Sequence, residues 1–315
     1  MKPFLIVNPR SANGATGKQF DQIAAAVRSS VGEHAHAFTE RPMHAAELAR
    51  KAIDAGHDLV IAVGGDGTIN EVVNGFFHDL KVGDAPRAIN PLASLAVVPR
   101  GTGGDFRKTI GLDDKLHASA EKLKAAPRRL DVGLVESSDE AGRPTMRLFV
   151  NVADAGLGGE VVQIANRSSK LLGGKLTFKL ASTRALIGWK DHRVRFSIDG
   201  GAPEEATITG FNVANGRYFG GGMMVAPDAR LDDGLFDVVI WSGFGLIDFV
   251  TKSKEIYNGT HVKLPGTRVL RASKVKVEPA EPRGARPVRL DLDGEAGGIC
   301  PATFTVLPGV IGLVA

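Results

Sequence analysis

A carboxylate set among glycines, Asp66 in Gly64-Gly65-Asp66-Gly67, is the group in this chain with the clearest chemistry. Only glycine lets backbone approach a ligand closely or take positive φ. Thr68 and Glu71 then form a Thr-x-x-Glu capping box, which predicts a helix start at that point. Strand, glycine turn and capped helix together make an anion site, because free amides and the helix dipole both face negative charge. A carboxylate beside a phosphate repels it unless a cation or proton intervenes. The combination points to a nucleotide with Mg²⁺ and to chemistry nearby. A glycine turn that merely closes a βα unit is the alternative, and repetition weighs against it.

The elements that must position Asp66 recur through the first third of the chain. Leu59 to Val63 has the length and branching of a buried strand. Phe4 to Asn8 runs in the same way into Pro9 to Lys18, and Ser94 to Pro99 into Arg100-Gly101-Thr102-Gly103-Gly104-Asp105-Phe106. Gln19 to Val31 and Ala45 to Ala55 carry apolar residues at helical spacing and are expected to cover the sheet. Alternating strands and helices predict an α/β domain with a doubly wound parallel sheet, whose ligands sit beyond the carboxyl ends of the strands. All three glycine turns fall at that edge. The chain lacks a P-loop, a Gly-x-Gly-x-x-Gly and a Gly-x-Ser-x-Gly, so the common NTPase, dinucleotide and serine-hydrolase fingerprints do not apply.

Composition narrows the class further. At 315 residues and 43% apolar the chain has room for two domains with real cores. No apolar stretch reaches the length of a membrane span, and the N-terminal run is too short for a signal peptide, so a cytoplasmic location is expected. The lone Cys300 has no internal disulfide partner. A formal charge of +4 is too small to argue for nucleic acid. The scattered histidines lack companions at zinc spacing.

After about residue 130 strands take over: Leu130–Val135, Leu148–Val152, Val194–Ile198, Ala206–Ala214, Phe236–Ile240, Ser273–Val277 and Val288–Leu292. Several alternate polar and apolar residues, as a half-solvated antiparallel sheet does. The domains expected are 1–130, α/β, and 131–302, a β-sandwich. The strand at 303–315 is expected to return to the first domain. Ser169 to Lys190 reads instead as a basic amphipathic helix, packed on the β domain, lying on an anionic membrane, or both if only partly covered. Two acidic clusters, Arg230-Leu-Asp-Asp233-Gly-Leu235 and Asp293-Gly294-Glu295, suit either oxygen ligation of a cation or a plain Asp-Gly turn. A carboxylate just past such a turn, like that of Glu295, can project into a cleft as a general base. Spacing alone does not favour Glu295 over Asp66.

Assembled, these residues resemble the diacylglycerol kinase catalytic-domain family, in its soluble bacterial lipid-kinase branch related to sphingosine kinases. The resemblance runs over nearly the whole chain. It rests on Val7-Asn8-Pro9, the block Gly64 to Gly75, Pro99 to Phe106, Asn151 to Gly158, Asn215-Gly216, Pro227 to Gly234 and Asp293-Gly294-Glu295. It implies two domains with ATP in the cleft between them. Gly64, Gly65, Asp66, Gly67, Thr68, Ile69 and Asn70 would contact the phosphates, with Thr39, Gly101 and Thr102 as further nucleotide contacts. Asp66, Asp105 and Asp131 would share a metal-water network near the phosphates, with Asp66 counted among the catalytic residues. Asp233, with the carbonyls of Arg230 and Leu235, would hold a structural metal, and Glu295 would be the general base. One position departs from the family pattern: Gly104 stands where the family carries asparagine, and glycine has no amide to offer a nucleotide or acceptor.

The activity so implied is Mg²⁺-dependent transfer of the ATP γ-phosphate to a lipid hydroxyl, first that of diacylglycerol. Sphingoid bases, ceramide, monoacylglycerol and isoprenoid alcohols remain open as acceptors. The resemblance implies a lipid substrate met by transient peripheral contact with a membrane surface, no nucleic-acid partner, and leaves a homodimer open. NAD kinase shares the Gly-Gly-Asp-Gly-Thr turn and is the enzyme rival; Asn70-Glu71 and Asp293-Gly294-Glu295 favour the lipid kinase. A non-catalytic, nucleotide-regulated lipid-binding protein is the rival of another class.

Overall fold

Short apolar runs rich in valine, isoleucine and alanine form β1 (Pro3–Val7), β2 (Ala35–Phe38), β3 (Leu59–Gly64) and β4 (Ser94–Pro99). The structure is a computed structural model describing residues 1–78, 80–101, 103–167, 174–281 and 285–315, with backbone alone at residues 166 and 174–179. These four strands pair in parallel in the order β2-β1-β3-β4. Helices α1 (Ala15–Lys18), α2 (Phe20–Val31), α3 (His44–Asp54), α4 (Asp66–Asn74), α5 (Asp105–Thr109) and α6 (Leu116–Glu121) lie between and after them. Side chains alternate across a strand. Leu5, Val7, Ile61 and Val63 therefore meet Ile23 and Val27 of α2 on one face, while Ile6, Val60 and Ala62 meet Ile53, Val72 and Val73 on the other.

The second half is antiparallel. It comprises β5 (Arg128–Ser138), β6 (Pro144–Phe149), β7 (Val152–Gly156), β8 (His192–Ile198), β9 (Glu204–Ile208), β10 (Gly210–Ala214), β11 (Phe236–Trp241), β12 (Thr267–Ala272), β13 (Lys274–Pro279), β14 (Arg289–Leu292) and β15 (Glu295–Val314). One layer runs β12-β11-β10-β7-β14-β15; β5 with β6, and β13 with β8 and β9, branch from β15 into the other. Phe211, Phe236 and Ile240 from the first layer share a core with Phe196, Val275 and Phe304 from the second. Among the described residues, helices α7 (Leu157–Arg167), α8 (Gly174–Leu186), α9 (Leu246–Thr251) and α10 (Ser253–Tyr257) decorate the sandwich. The basic helix read at Ser169 to Lys190 is observed as α8; residues 169–173 lie outside the described residues. Among the described residues no helix is long and apolar enough to cross a membrane.

β15 joins the two halves. Its length pairs antiparallel with β5, and its last residues, Gly312 to Val314, pair in parallel with Ser94 to Ala96 of β4. A Cβ on Gly312 would overlap the Ser94 hydroxyl, so the junction depends on glycine. The boundary expected at 130/131 falls inside β5, whose Leu130, Val132 and Leu134 pack into the core of the first domain.

Two carboxylates are built into the sandwich sheet. Asp154 of β7 lies opposite Asp291 of β14, and both are fully buried, with Asp154 accepting the Gly158 N–H at 2.8 Å. Burial pushes the Asp154 carboxyl up to about 7 and that of Asp291 well above the carboxylate range. The native state thus holds these protons more tightly than the unfolded chain. The Asp154 contribution is intact at low pH and is lost as pH rises from the ordinary carboxylate range through about 7, and that of Asp291 is lost in the same direction. For Asp154 alone the loss is at most about 4 kcal/mol. The melting temperature is expected to fall between pH 5 and pH 8, and Asp154→Asn to shrink that fall; an equal fall in parent and variant would refute the assignment.

Candidate active site

Strands β3 and β4 end side by side, and their glycine turns stack backbone on backbone. A Cβ on Gly101 would stand 2.5 Å from Gly65 Cα, and the Arg100 N–H donates to the Gly64 carbonyl at 2.7 Å. The cleft between the turns encloses about 90 Å³, bordered by Gly64, Gly65, Asp66, Gly103, Gly104 and Arg107. Helix α4 begins in this cleft at Asp66, two residues before the expected start at Thr68. No capping box forms, because both of its side chains are engaged elsewhere. The Thr68 hydroxyl accepts from Asn8 Nδ2 at 3.1 Å, and Glu71 Oε2 accepts the Ala45 N–H at the start of α3.

Asp66 turns its carboxylate toward the second glycine turn. Oδ2 accepts the N–H of Gly104 at 2.8 Å and of Asp105 at 3.3 Å; Oδ1 accepts that of Phe106 at 3.0 Å. Its charge is met by the amino end of α5, which removes the repulsion a bare carboxylate would impose on a phosphate. In this arrangement Asp66 ties the two glycine turns together. Gly104 adopts positive φ (+71°), and a Cβ there would stand 3.1 Å from Arg107 Nε. Where the family has an amide, this chain has a guanidinium at the cleft edge.

Asp105 lies beside Asp66. Its Oδ2 accepts the Gly221 N–H at 2.8 Å, while Oδ1 is buried with no protein partner. Burial first, then the Asp66 charge, pushes its carboxyl up to about 6, opposed by the Gly221 N–H and by Lys108. A buried carboxylate oxygen without a donor, one residue past the Gly104 that borders the cleft, fits a hard cation or its water. Mg²⁺ fits at Asp105.

The expected companion, Asp131, is not there. Its oxygens accept the N–H groups of Gly234 (2.7 Å) and Gly309 (2.6 Å), and the charges near it are Asp233 and Asp232. It belongs with the 230–235 segment, whose Leu231 carbonyl accepts the Asp131 N–H at 2.7 Å. The structural metal expected there does not fit the side chains present. Asp233 Oδ2 pairs with the Arg271 guanidinium and Oδ1 accepts the Leu235 N–H at 3.2 Å, so a resident cation already answers that carboxylate. Arg230 turns to Asp232. Among the described residues no three His, Cys, Asp or Glu side chains group as a metal site. Removing the guanidinium leaves Asp233 beside Asp237, itself pushed up to about 6 by burial. Arg271→Ala is expected to cost about 1 kcal/mol or less and to make thermal stability respond to Ca²⁺, whereas the parent melts alike in Ca²⁺ and in EDTA. A parent stabilised by Ca²⁺ and destabilised by chelation would overturn the assignment.

Glu295 opens β15 after a two-residue hairpin turn, Asp293-Gly294, with φ positive at both positions as such turns require. A Cβ on Gly67 would stand 2.8 Å from Glu295 Oε1, so the carboxylate of the second domain lies over the first turn of α4. Asp293 holds it there. Oδ1 accepts the N–H groups of Asn151 and Val152, and Oδ2 accepts the Val150 N–H and Asn70 Nδ2, all at 2.8–3.0 Å. Asn70 is fully buried, also donating to the Leu148 carbonyl, and Asn74 bonds Leu148 in both directions. The Asn70 side chain therefore rivets α4 to the second domain. Ile69 is a core side chain at the cleft floor. Thr39 follows β2 at the same sheet edge, donating its N–H to Val7. Thr102 lies outside the described residues.

Sequence reasoning missed Arg107, Lys108 and the Gly221 amide, and read Asp293 only as a cation ligand or turn residue. Arg107 stands one helical turn past Gly104 and was open to being found. The role of Asp293 had no local signal, since its amide partner Asn70 is 223 residues away.

Fold and cleft define a two-domain nucleotide-phosphate-binding protein. Residues 2–135 match the diacylglycerol kinase catalytic domain, and residues 151–315 the YegS C-terminal NAD kinase beta sandwich-like domain. The chain is 30% identical over 305 residues to a diacylglycerol kinase of Bacillus subtilis, covering 96% of this chain and 92% of the other. It shares its fold with a crystal structure of a diacylglycerol kinase from Bacillus anthracis, at TM-score 0.68 and 20% identity, covering 99% and 96% of the two chains. Yeast NADH kinase in complex with NADH has a related fold, at TM-score 0.51 and 14% identity over 100% and 83%. The chain belongs to the diacylglycerol kinase and YegS family of lipid kinases. It is a kinase, and the family implies ATP as its phosphate donor.

Proposed function

We propose that this chain transfers the γ-phosphoryl group of ATP to the hydroxyl of diacylglycerol, giving phosphatidate and ADP. The observation that carries the reading is Glu295: its carboxylate, from the second domain, lies over the amide-rich start of α4 in the first. The Bacillus subtilis relative called a diacylglycerol kinase supplies the acceptor. The N–H groups of Gly65, Gly67, Gly101 and Gly103 bind phosphate oxygens, and Arg107 adds a cation at the cleft edge. As the hydroxyl oxygen forms its bond to the γ-phosphorus, the bond to the β–γ bridging oxygen breaks and the hydroxyl proton passes to Glu295. Asp105 would hold Mg²⁺, which offsets charge on the transferred group. Contact with the lipid is peripheral and transient.

The test offers γ-labelled ATP and Mg²⁺ with micellar diacylglycerol, a sphingoid base, ceramide, monoacylglycerol, an isoprenoid alcohol and NAD side by side. Labelled phosphatidate as the main product is the expected result. Preferential labelling of another acceptor would replace the substrate, and labelled NADP would move the chain to the nucleotide-kinase class. ATP binding with no labelled product would favour a lipid-binding protein without turnover.

A further inference from the structure

The helices on the second domain carry an apolar surface that the phosphoryl-transfer site does not use. In α9, Phe249 points inward, against Trp241 at 5.8 Å and into the cluster formed by Leu157, Val161, Ala181 and Ala185 of α7 and α8. Ile247 and Val250, three residues apart and so on one helical face, stand 77% and 66% exposed. Helix α8 is used in the same way: Ala181 and Ala185 are buried, while Leu180 and, just past the helix end, Ile187 stand 52% and 66% exposed. Because Phe249 packs on the α8 cluster, the two exposed pairs lie on adjoining elements.

Charge distinguishes this surface from ordinary exposed core. Among the described residues, Arg167, Arg184 and Lys190 on and beside these helices are exposed, and no acidic residue lies between Val161 and Lys190. Asp248 of α9 is answered by Lys252 at 2.7 Å, and Lys254 is exposed on α10. Apolar side chains set in a basic field suit the headgroup region of an anionic bilayer, where apolar groups bury and cations meet lipid phosphates.

Position links the surface to the chemistry. The Met224 N–H donates to the Ile256 carbonyl of α10 at 3.1 Å, and the Tyr257 ring stands 3.8 Å from where a Cβ on Gly222 would lie. The neighbouring Gly221 N–H is the donor to Asp105. One hairpin, 219–223, therefore stands between α10 and the Asp105 carboxylate, whose neighbour Gly104 borders the cleft.

We propose that the outward faces of α8 and α9 dock this protein on anionic membranes and bring the 219–223 side of the cleft to the lipid. The proposal rests on the lipid-kinase reading and names the surface that reading requires. Its occupant is a bilayer bearing acidic headgroups.

The test uses the full chain with vesicles of equal parts phosphatidylcholine and phosphatidylglycerol, and with pure phosphatidylcholine. Sedimentation measures binding, and phosphorylation of vesicle-borne diacylglycerol is followed in parallel. The double variant Ile247→Glu with Val250→Glu is expected to lose about tenfold or more in affinity for the anionic vesicles. Leu180→Glu with Ile187→Glu should do the same from the other helix. Both should melt like the parent and keep its turnover of a short-chain, water-soluble diacylglycerol. Parental vesicle binding in both variants overturns the proposal. So does a parent dimer that dissociates in the variants, which would make this face a contact between copies of the chain. If no lipid is phosphorylated while vesicle binding still falls in the variants, the substrate reading fails and the docking surface stands.

Discussion

Glu295→Gln is expected to lower kcat for lipid phosphorylation by about 10² to 10⁴, the range that a positioned general base contributes. Glutamine keeps the size and shape of the side chain and removes its capacity to take a proton. The binding of ATP, measured by titration without acceptor, should change little, because the phosphates are bound by backbone amides of the glycine turns. The KM for lipid should also stay close to the parent value. This split distinguishes loss of a base from collapse of the cleft, which would raise both constants. The geometry makes the residue hard to replace. The carboxylate reaches the start of α4 only because it follows a hairpin turn whose two residues have positive φ. Parental kcat in Glu295→Gln would remove proton transfer from this residue and leave positioning and charge neutralisation as the whole of catalysis.

What was legible in the sequence was local. Leu59 to Val63 reads as a strand because branched residues on both faces admit little else, and β3 covers it. The glycine turns announced themselves because each follows such a run. The antiparallel half was legible strand by strand from alternation, as at Val194 to Ile198, where Val194 and Phe196 are buried and Arg193 and Arg195 exposed. Pairing across distance was not. Thr68 and Glu71 satisfy the capping pattern, yet Asn8, 60 residues earlier, and Ala45, 26 residues earlier, take their oxygens instead. The glycine spacing led to Asp66 but not to its use. Its three donors lie 38 to 40 residues downstream on a turn that only the parallel pairing of β3 and β4 brings alongside. The same limit hid Arg271, which reaches Asp233 across 38 residues through the pairing of β11 with β12. A motif records which residues a family holds; the sheet decides which of them meet.

The largest expected loss of stability belongs to Asp293. Asp293→Ala would leave the N–H groups of Val150, Asn151 and Val152 and the amide of Asn70 without their acceptor in a site closed to water. An unsatisfied buried donor costs about 1–3 kcal/mol. Four of them approach the whole stability of an ordinary domain, about 5–15 kcal/mol. Asparagine is no remedy, since its amide nitrogen would face donors that need an oxygen. The site is not simply an anion hole, because burial raises the Asp293 carboxyl despite these four donors. Its own charge therefore favours folding less as pH climbs past the ordinary carboxylate range. The residue is retained for its oxygens, which fix the 150–152 backbone and α4 in one arrangement and so set where Glu295 begins. Both Asp293→Ala and Asp293→Asn should unfold at markedly lower urea concentration than the parent. Glu295→Gln, two residues on, should unfold with the parent. A stable, active Asp293→Asn would mean that Asn70 and Asn74 hold the two domains together without it.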